Sequence, residues 1–205
     1  FRNRAKALQK RGGQLVVIDP RRTETAKIAD RHLFIRPATD GLLLVALLKA
    51  VLTHPERPAL PDYIDNLDAV AEAVSGFDSG ACAAQCGVAL PDIQWLADRM
   101  VTGPAALYGR IGAATQSFGT LNAWLIGLIN IASGKLDREG GLLFPTPLVD
   151  TVAMAGTGSV GRRHSRVSKH PLVMGEYPAA ALAEEIETLG EGQIKALFVV
   201  AGNPV

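Results

Sequence analysis

Gln14-Leu-Val-Val-Ile-Asp-Pro-Arg-Arg-Thr-Glu-Thr-Ala26 is the stretch whose reading decides the fold. Its apolar run, Leu15 to Ile18, shows no alternation, which is how a strand covered on both faces of a parallel sheet reads. Asp19-Pro20 ends it. Upstream, Arg4 to Arg11 reads as a helix stopped by Gly12-Gly13. Downstream, Leu33-Phe34-Ile35 is a second short strand ended by Arg36-Pro37, and Thr39 or Asp40 N-caps an apolar helix over Gly41 to Leu52. Helices follow over Asp65–Val74 and Asp92–Val101. A third strand, Ala105–Tyr108, is expected next, then Gly109-Arg110-Ile111-Gly112 and a long helix from about Gln116 to Ser133. Residues 140–178 read as an irregular excursion rich in Gly, Pro, Ser and Arg. A helix over Ala179–Leu189 and a last buried strand over Ala196–Val200 complete the pattern. Strands alternating with helices predict an α/β region with a mostly parallel sheet spanning residues 1–205.

Bulk properties exclude several classes. A formal net charge of +1 over 205 residues gives no electrostatic footprint for nucleic acid. The chain has two cysteines, Cys82 and Cys86, so it is no disulfide scaffold, and the expected compartment is cytoplasmic. The most apolar long stretch, Leu121–Ala132, is too short to span a bilayer and contains Asn122 and Asn130. The chain opens at Phe1 inside a helical pattern and closes at Val205 just past an apolar run. The expectation is an internal piece of a longer polypeptide.

Ligands of open α/β sheets bind at the carboxyl ends of the strands. The residues there are Asp19-Pro20-Arg21-Arg22-Thr23, Arg36-Pro37-Ala38-Thr39-Asp40, Gly109-Arg110-Ile111-Gly112 and Gly202-Asn203-Pro204. A carboxylate at Asp19 suits ribose hydroxyls or a purine amino group. The forked donors of Arg21 and Arg22 suit phosphate. The head of the Gly41 helix offers backbone N–H groups, Gly112 permits close approach, and Asn203 can donate and accept. The implied ligand is nucleotide-like and carries phosphates.

The same residues carry a resemblance. The stretch Gln14–Ala26, then Ile35–Gly41, then Tyr108–Gly112 with Gln116, then Asn130–Gly141, then Leu197–Val205 resembles, in order and across nearly the whole chain, the cofactor region of the molybdopterin oxidoreductases of the formate dehydrogenase, nitrate reductase and DMSO reductase type. The resemblance implies a Rossmann-like, mostly parallel sheet flanked by helices. It implies a catalytic subunit carrying molybdenum on bis-molybdopterin guanine dinucleotide, with formate dehydrogenase-like activity on a small-molecule substrate. It assigns cofactor contacts to Asp19, Pro20, Arg21, Arg22, Thr23, Ala38, Thr39, Asp40, Gly112, Gln116 and Asn203. At Ala38 the family more often carries Gly or Gln. The family's 4Fe-4S cluster, its metal-ligating residue and its closing C-terminal domain have no counterpart in residues 1–205. An electron-transfer partner subunit is also implied. The alternative reading is a stand-alone module that binds or carries the cofactor without catalysis.

Other signals are weighed and set aside. Gly156-Thr-Gly158-Ser-Val-Gly161 matches the dinucleotide fingerprint, but no helical pattern follows it. A nicotinamide dehydrogenase is therefore the third hypothesis. Arg162, Arg163, His164, Ser165 and Arg166 form a cationic cluster able to hold an anionic substrate, or else a solvated basic loop. Cys82 and Cys86 read as core cysteines, and His32, His54 and His170 receive no role. Trp95, Trp124 and Phe118 read as core. Glu184, Glu185 and Glu187 read as a solvated helix face.

Overall fold

The computed structural model describes residues 2–144, 146–150, 154, 160–173 and 175–200. The chain divides into two units, 1–144 and 145–205.

The first unit is built on a helix. Its elements are α1 (Arg2–Lys10), β1 (Val16–Ile18), α2 (Glu24–Lys27), β2 (Arg31–Leu33), α3 (Asp40–Leu52), α4 (Leu67–Ser75), α5 (Ser79–Cys86), α6 (Leu90–Thr102), α7 (Ile111–Ala114) and α8 (Gly119–Ala132). Six consecutive residues of α3, Leu43 to Leu48, are buried, and so is Val51. At 100° per residue, six in a row cover the whole circumference, so α3 has no solvent face. It packs against α4, α5, α6 and α8. Its one basic residue, Lys49, reaches out to donate to Ser75 O (2.8 Å) and Phe77 O (2.7 Å), closing the end of α4. Cys82 and Cys86 are free and buried on the face of α5 that joins this core. The core reading of both thiols holds.

The sheet is small. β1 and β2 pair in parallel, with Val16 opposite Arg31 and Ile18 opposite Leu33. The pairing lies two residues earlier than the sequence predicts for the second strand. After Leu33 the chain leaves β1: Phe34 is exposed, Ile35 enters the core, and Arg36 N donates to Cys86 O (2.8 Å). The Arg36 guanidinium completes the diversion by donating to Ala84 O and Gln85 O, both at 3.0 Å. Arg36 therefore closes α5, and the backbone that a longer strand needs is committed there. At the other end of β1, the Asp30 carboxylate accepts from Leu15 N (2.7 Å) and from Gln9 Nε2 (3.0 Å). The Leu15 amide first, then Gln9, hold the Asp30 carboxyl below its ordinary value. Arg31 pairs with Asp92, and its guanidinium lies 4.3 Å over the Trp95 ring, tying β2 to α6.

The expected third strand over Ala105–Tyr108 is not a strand. Asn130, fully buried on α8, acts as its partner. Leu107 N donates to Asn130 Oδ1 (3.0 Å) and Asn130 Nδ2 donates back to Leu107 O (2.9 Å). One side-chain amide thus satisfies the two backbone groups that a sheet neighbour would have taken. Farther along, Asn122 Nδ2 donates to Ala113 O (2.9 Å), and a Cβ on Gly109 would sit 2.4 Å from Ile126 Cδ1. Asn122, Ile126 and Asn130 are spaced four apart, so one face of α8 holds residues 107–113 alongside it.

The second unit is described by itself. It contains a short 3-10 turn, Ala179–Ala181, and α9 (Leu182–Glu187). Of the expected acidic solvated face, Glu187 is exposed, whereas Glu184 and Glu185 serve as acceptors. Val167 N donates to Glu185 Oε1 (3.0 Å), Arg166 Nε donates to Glu185 Oε2 (3.1 Å), and Ser168 N donates to Glu184 Oε1 (3.1 Å). The Val167 amide, then Arg166, hold the Glu185 carboxyl below its ordinary value. The expected buried strand Ala196–Val200 is also corrected. Leu197, Phe198, Val199 and Val200 are exposed, and no described residue pairs with them. An apolar run becomes a buried strand only where a neighbour supplies its ladder.

Replacing Asn130 with Leu leaves Leu107 N and O without their partner. Urea unfolding of the chain is expected to show a loss of about 2 kcal/mol. An unchanged midpoint would show that water replaces the amide without cost.

Candidate functional site

Parallel pairing sends β1 and β2 out of the same edge of the sheet, and both exits carry residues that the sequence singles out. At the β1 exit, Asp19 Oδ1 accepts from Arg21 N (2.8 Å), which folds Asp19–Arg21 into an Asx turn and leaves the second carboxylate oxygen for an outside donor. Thr23 Oγ1 accepts from Ala26 N (3.3 Å) and caps α2. Arg21 and Arg22 are exposed and form no ion pair among the described residues. Pro20 sets the turn and has no N–H to give. His32 Nε2 lies 3.0 Å from Asp19 O, so this histidine helps hold the exit.

The β2 exit leads through Ala38 to the head of α3. Ala38 has φ +63°, a left-handed conformation that a Cβ disfavours. Thr39 holds the N-cap position but does not cap. Its Oγ1 donates to Arg36 O (2.7 Å) instead of accepting from a helix N–H. The head of α3 is met by the segment that enters α8. Gln116 Nε2 donates to Asp40 Oδ2 (2.8 Å) and to Gly112 O (2.8 Å). A residue not chosen from the sequence joins them. Asn122 is fully buried, its Nδ2 is committed to Ala113 O, and its Oδ1 has no hydrogen-bond partner among the described residues. A Cβ on Gly41 would lie 3.1 Å from that oxygen, so the glycine is what lets the head of α3 approach. The available signal was an asparagine inside an apolar helix, which is costly unless something needs it.

Three of the predicted sets therefore fall into two clusters in the first unit: Asp19–Thr23 at the β1 exit, and Ala38–Asp40 with Gly112 and Gln116 at the head of α3. Asn203 lies outside the described residues, as does most of the Gly156–Gly161 fingerprint. A shallow open depression of about 320 Å³ lies beside Gln116, Ser117 and Thr120 at the head of α8. In the second unit the predicted cationic cluster breaks up. Arg166 Nη2 donates to Thr188 O (2.7 Å), and Arg166 is paired with Glu185. Ser165 is buried and accepts from His170 N (2.9 Å). Arg162, Arg163 and His164 remain exposed. Among the described residues, no group of three or more His, Cys, Asp or Glu side chains is placed to hold a metal ion.

No family model matches the chain. Individual proteins do. It is 27% identical to a nitrate reductase of Klebsiella oxytoca, over 94% of this chain and 24% of that protein. It is 30% identical to the NADPH-Fe(3+) oxidoreductase subunit alpha of Geobacter sulfurreducens, over 98% of this chain and 25% of that one. Among solved structures, acetylene hydratase from Pelobacter acetylenicus has the same fold over 64% of this chain and 19% of its own, with a TM-score of 0.58 and 24% identity. These relatives are members of the molybdopterin oxidoreductase family, and the chain matches a part of their catalytic subunits. It spans about a quarter of the length of the curated relatives it matches. The architecture agrees as far as a helix-dominated α/β fold with a small parallel sheet. No described helix is long and apolar enough to cross a membrane.

The strain at Ala38 gives a direct check. Ala38→Gly is expected to stabilise the first unit by about 0.5–1 kcal/mol in urea unfolding, because glycine accepts positive φ. A loss instead would mean that the Ala38 methyl makes a contact worth more than the strain.

Proposed function

We propose that this chain holds the pterin dinucleotide of a molybdopterin-dependent oxidoreductase, with Asp19–Thr23 taking the nucleotide end and the head of α3 taking a heterocycle. The observation that carries the reading is the opposite chemistry of two clusters on exits from one sheet edge. The β1 exit presents two guanidinium groups with no ion pair among the described residues, which suit phosphates, beside a carboxylate that suits guanine or ribose. The head of α3 presents acceptors, the Asp40 carboxylate and the orphaned Asn122 Oδ1. A buried acceptor left unmade costs about 1–3 kcal/mol, so a donor belongs there. A pterin is rich in N–H donors. Gln116, now bonded to Asp40, has an amide that both donates and accepts, so it can exchange that partner for the edge of a ring.

Within this reading, Asp19, Pro20, Arg21, Arg22, Thr23, Ala38, Thr39, Asp40, Gly112 and Gln116 form the cofactor-binding set. Asn122 is added to it, and Asn203 keeps the contact with a bis-molybdopterin guanine dinucleotide that the sequence resemblance implies. Residues 1–205 form one dinucleotide-binding region around a Rossmann-like sheet that the rest of the polypeptide extends. The bound group supplies two-electron chemistry at molybdenum, and the protein orients it and sets its surroundings. The metal ligand, a 4Fe-4S cluster and the contact with an electron-transfer partner belong to other parts of the polypeptide, and the setting is cytoplasmic. The substrate is a small anion. Formate follows from the sequence resemblance, and nitrate from the names of the relatives, so both are to be assayed on the complete protein.

Calorimetric titration of the chain with GDP and with NAD tests the nucleotide end. GDP is expected to bind, with affinity falling steeply as salt rises. Arg21→Ala with Arg22→Ala is expected to weaken binding by roughly ten- to a hundredfold, the loss of charge-assisted hydrogen bonds. Binding of NAD but not GDP overturns the reading in favour of a nicotinamide enzyme.

A further inference from the structure

The outward face of α8 is uncharged and largely apolar. From Ile111 to Gly134 the chain has no charged residue. The helix inside that stretch nevertheless keeps a surface. Helix α8 buries Leu125, Leu128, Ile129 and Ala132 in the core, and it spends Asn122, Ile126 and Asn130 on residues 107–113. Thr120, Trp124, Gly127 and Ile131 are spaced i, i+4, i+7 and i+11, so they form a third stripe, pointing away from both. Trp124 is 53% exposed, and Phe118, just before the helix, is 66% exposed. Both read as core from the sequence, and that expectation fails for them. Leu121 at the edge of the stripe is exposed too, as are Tyr108 and Ile111 on the neighbouring segment. A solvated helix face carries charge, and a helix that is apolar all round is a buried one.

We propose that this stripe is the docking surface for another part of the same polypeptide, one that presents an uncharged apolar face. Two observations select that occupant. The absence of charge over the whole stretch leaves nothing to steer a transient partner, whereas permanent interfaces resemble a domain core cut in half. The relatives are also about four times as long as the matched region, since this chain covers 24% and 25% of them. The inference does not rest on the cofactor reading, and it is tested on protein without metal.

The test is hydroxyl-radical footprinting with mass spectrometry, on the 205-residue chain and on the complete polypeptide its gene encodes. Trp124 and Phe118 label readily in the 205-residue chain and are protected several-fold in the complete polypeptide. Trp124→Lys with Leu121→Lys leaves the melting of the 205-residue chain within a few degrees and destabilises the complete polypeptide. Equal labelling in both proteins overturns the proposal. So does a gene that encodes nothing beyond these residues. Protection in the 205-residue chain that grows with concentration and accompanies a dimer mass assigns the face to a second copy instead, and added lipid vesicles that protect it assign it to a membrane surface.

Discussion

Helix α3 has no side left for water, and the rest of the first unit is arranged by that fact. A helix of this kind is stable only when other elements enclose it, because each large apolar residue in it contributes roughly 1.5–3 kcal/mol through burial alone. Here α4, α5, α6 and α8 supply the enclosure. Their ends are then closed by side chains reaching across from elsewhere: Lys49 on α4 and Arg36 on α5. The two-stranded sheet is a minor partner in this core. Its importance is directional, since parallel β1 and β2 leave by one edge and deliver Asp19 and the head of α3 to it.

The same constraint shapes the site. Enclosing α3 on every side brings α8 close enough that Gly41 cannot carry a side chain without crowding Asn122. It also places the segment before α8, with Gly112 and Gln116, over the first turn of α3. Thr39 spends its hydroxyl on Arg36 O and so caps no first-turn N–H, Leu42 N donates instead to Thr39 O, and Asp40 and Asn122 add acceptors beside that turn. A donor–acceptor mixture of this kind suits the edge of a nitrogen heterocycle better than a phosphate. The guanidinium groups at the β1 exit have the complementary preference.

The sequence made helices α3, α6 and α8, the first strand and both buried cysteines legible, because apolar run length and helical spacing specify them directly. Of the site, it reached Asp40 and Gln116, which are in contact, and Asp19, which organises its own turn. It did not reach the fate of the apolar runs 105–108 and 196–200. A short apolar run reads the same whether its backbone is paired by a strand, by a side chain such as Asn130, or by no described residue. The outward aromatics failed for the opposite reason. Trp124 and Phe118 have the composition of a core, but Trp124 lies on the outward face of α8 and Phe118 on the turn before it, so neither joins the core this chain builds. Arg166 and Arg36 show a third limit, since an exposed-looking arginine in a basic loop can be taken up by carbonyls and carboxylates that only the fold brings near.

The α3-centred region is proposed to belong to a protein that holds molybdenum through a guanine dinucleotide of pterin. The most direct measurement is the metal and nucleotide content of the complete protein, purified from cells supplied with molybdate. Molybdenum by mass spectrometry, together with GMP released by acid hydrolysis and lost in parallel when Asp19 and Arg21 are both changed to Ala, is the predicted result. Complete protein that folds, carries neither molybdenum nor a releasable guanine nucleotide, and is indifferent to those two substitutions would contradict the account.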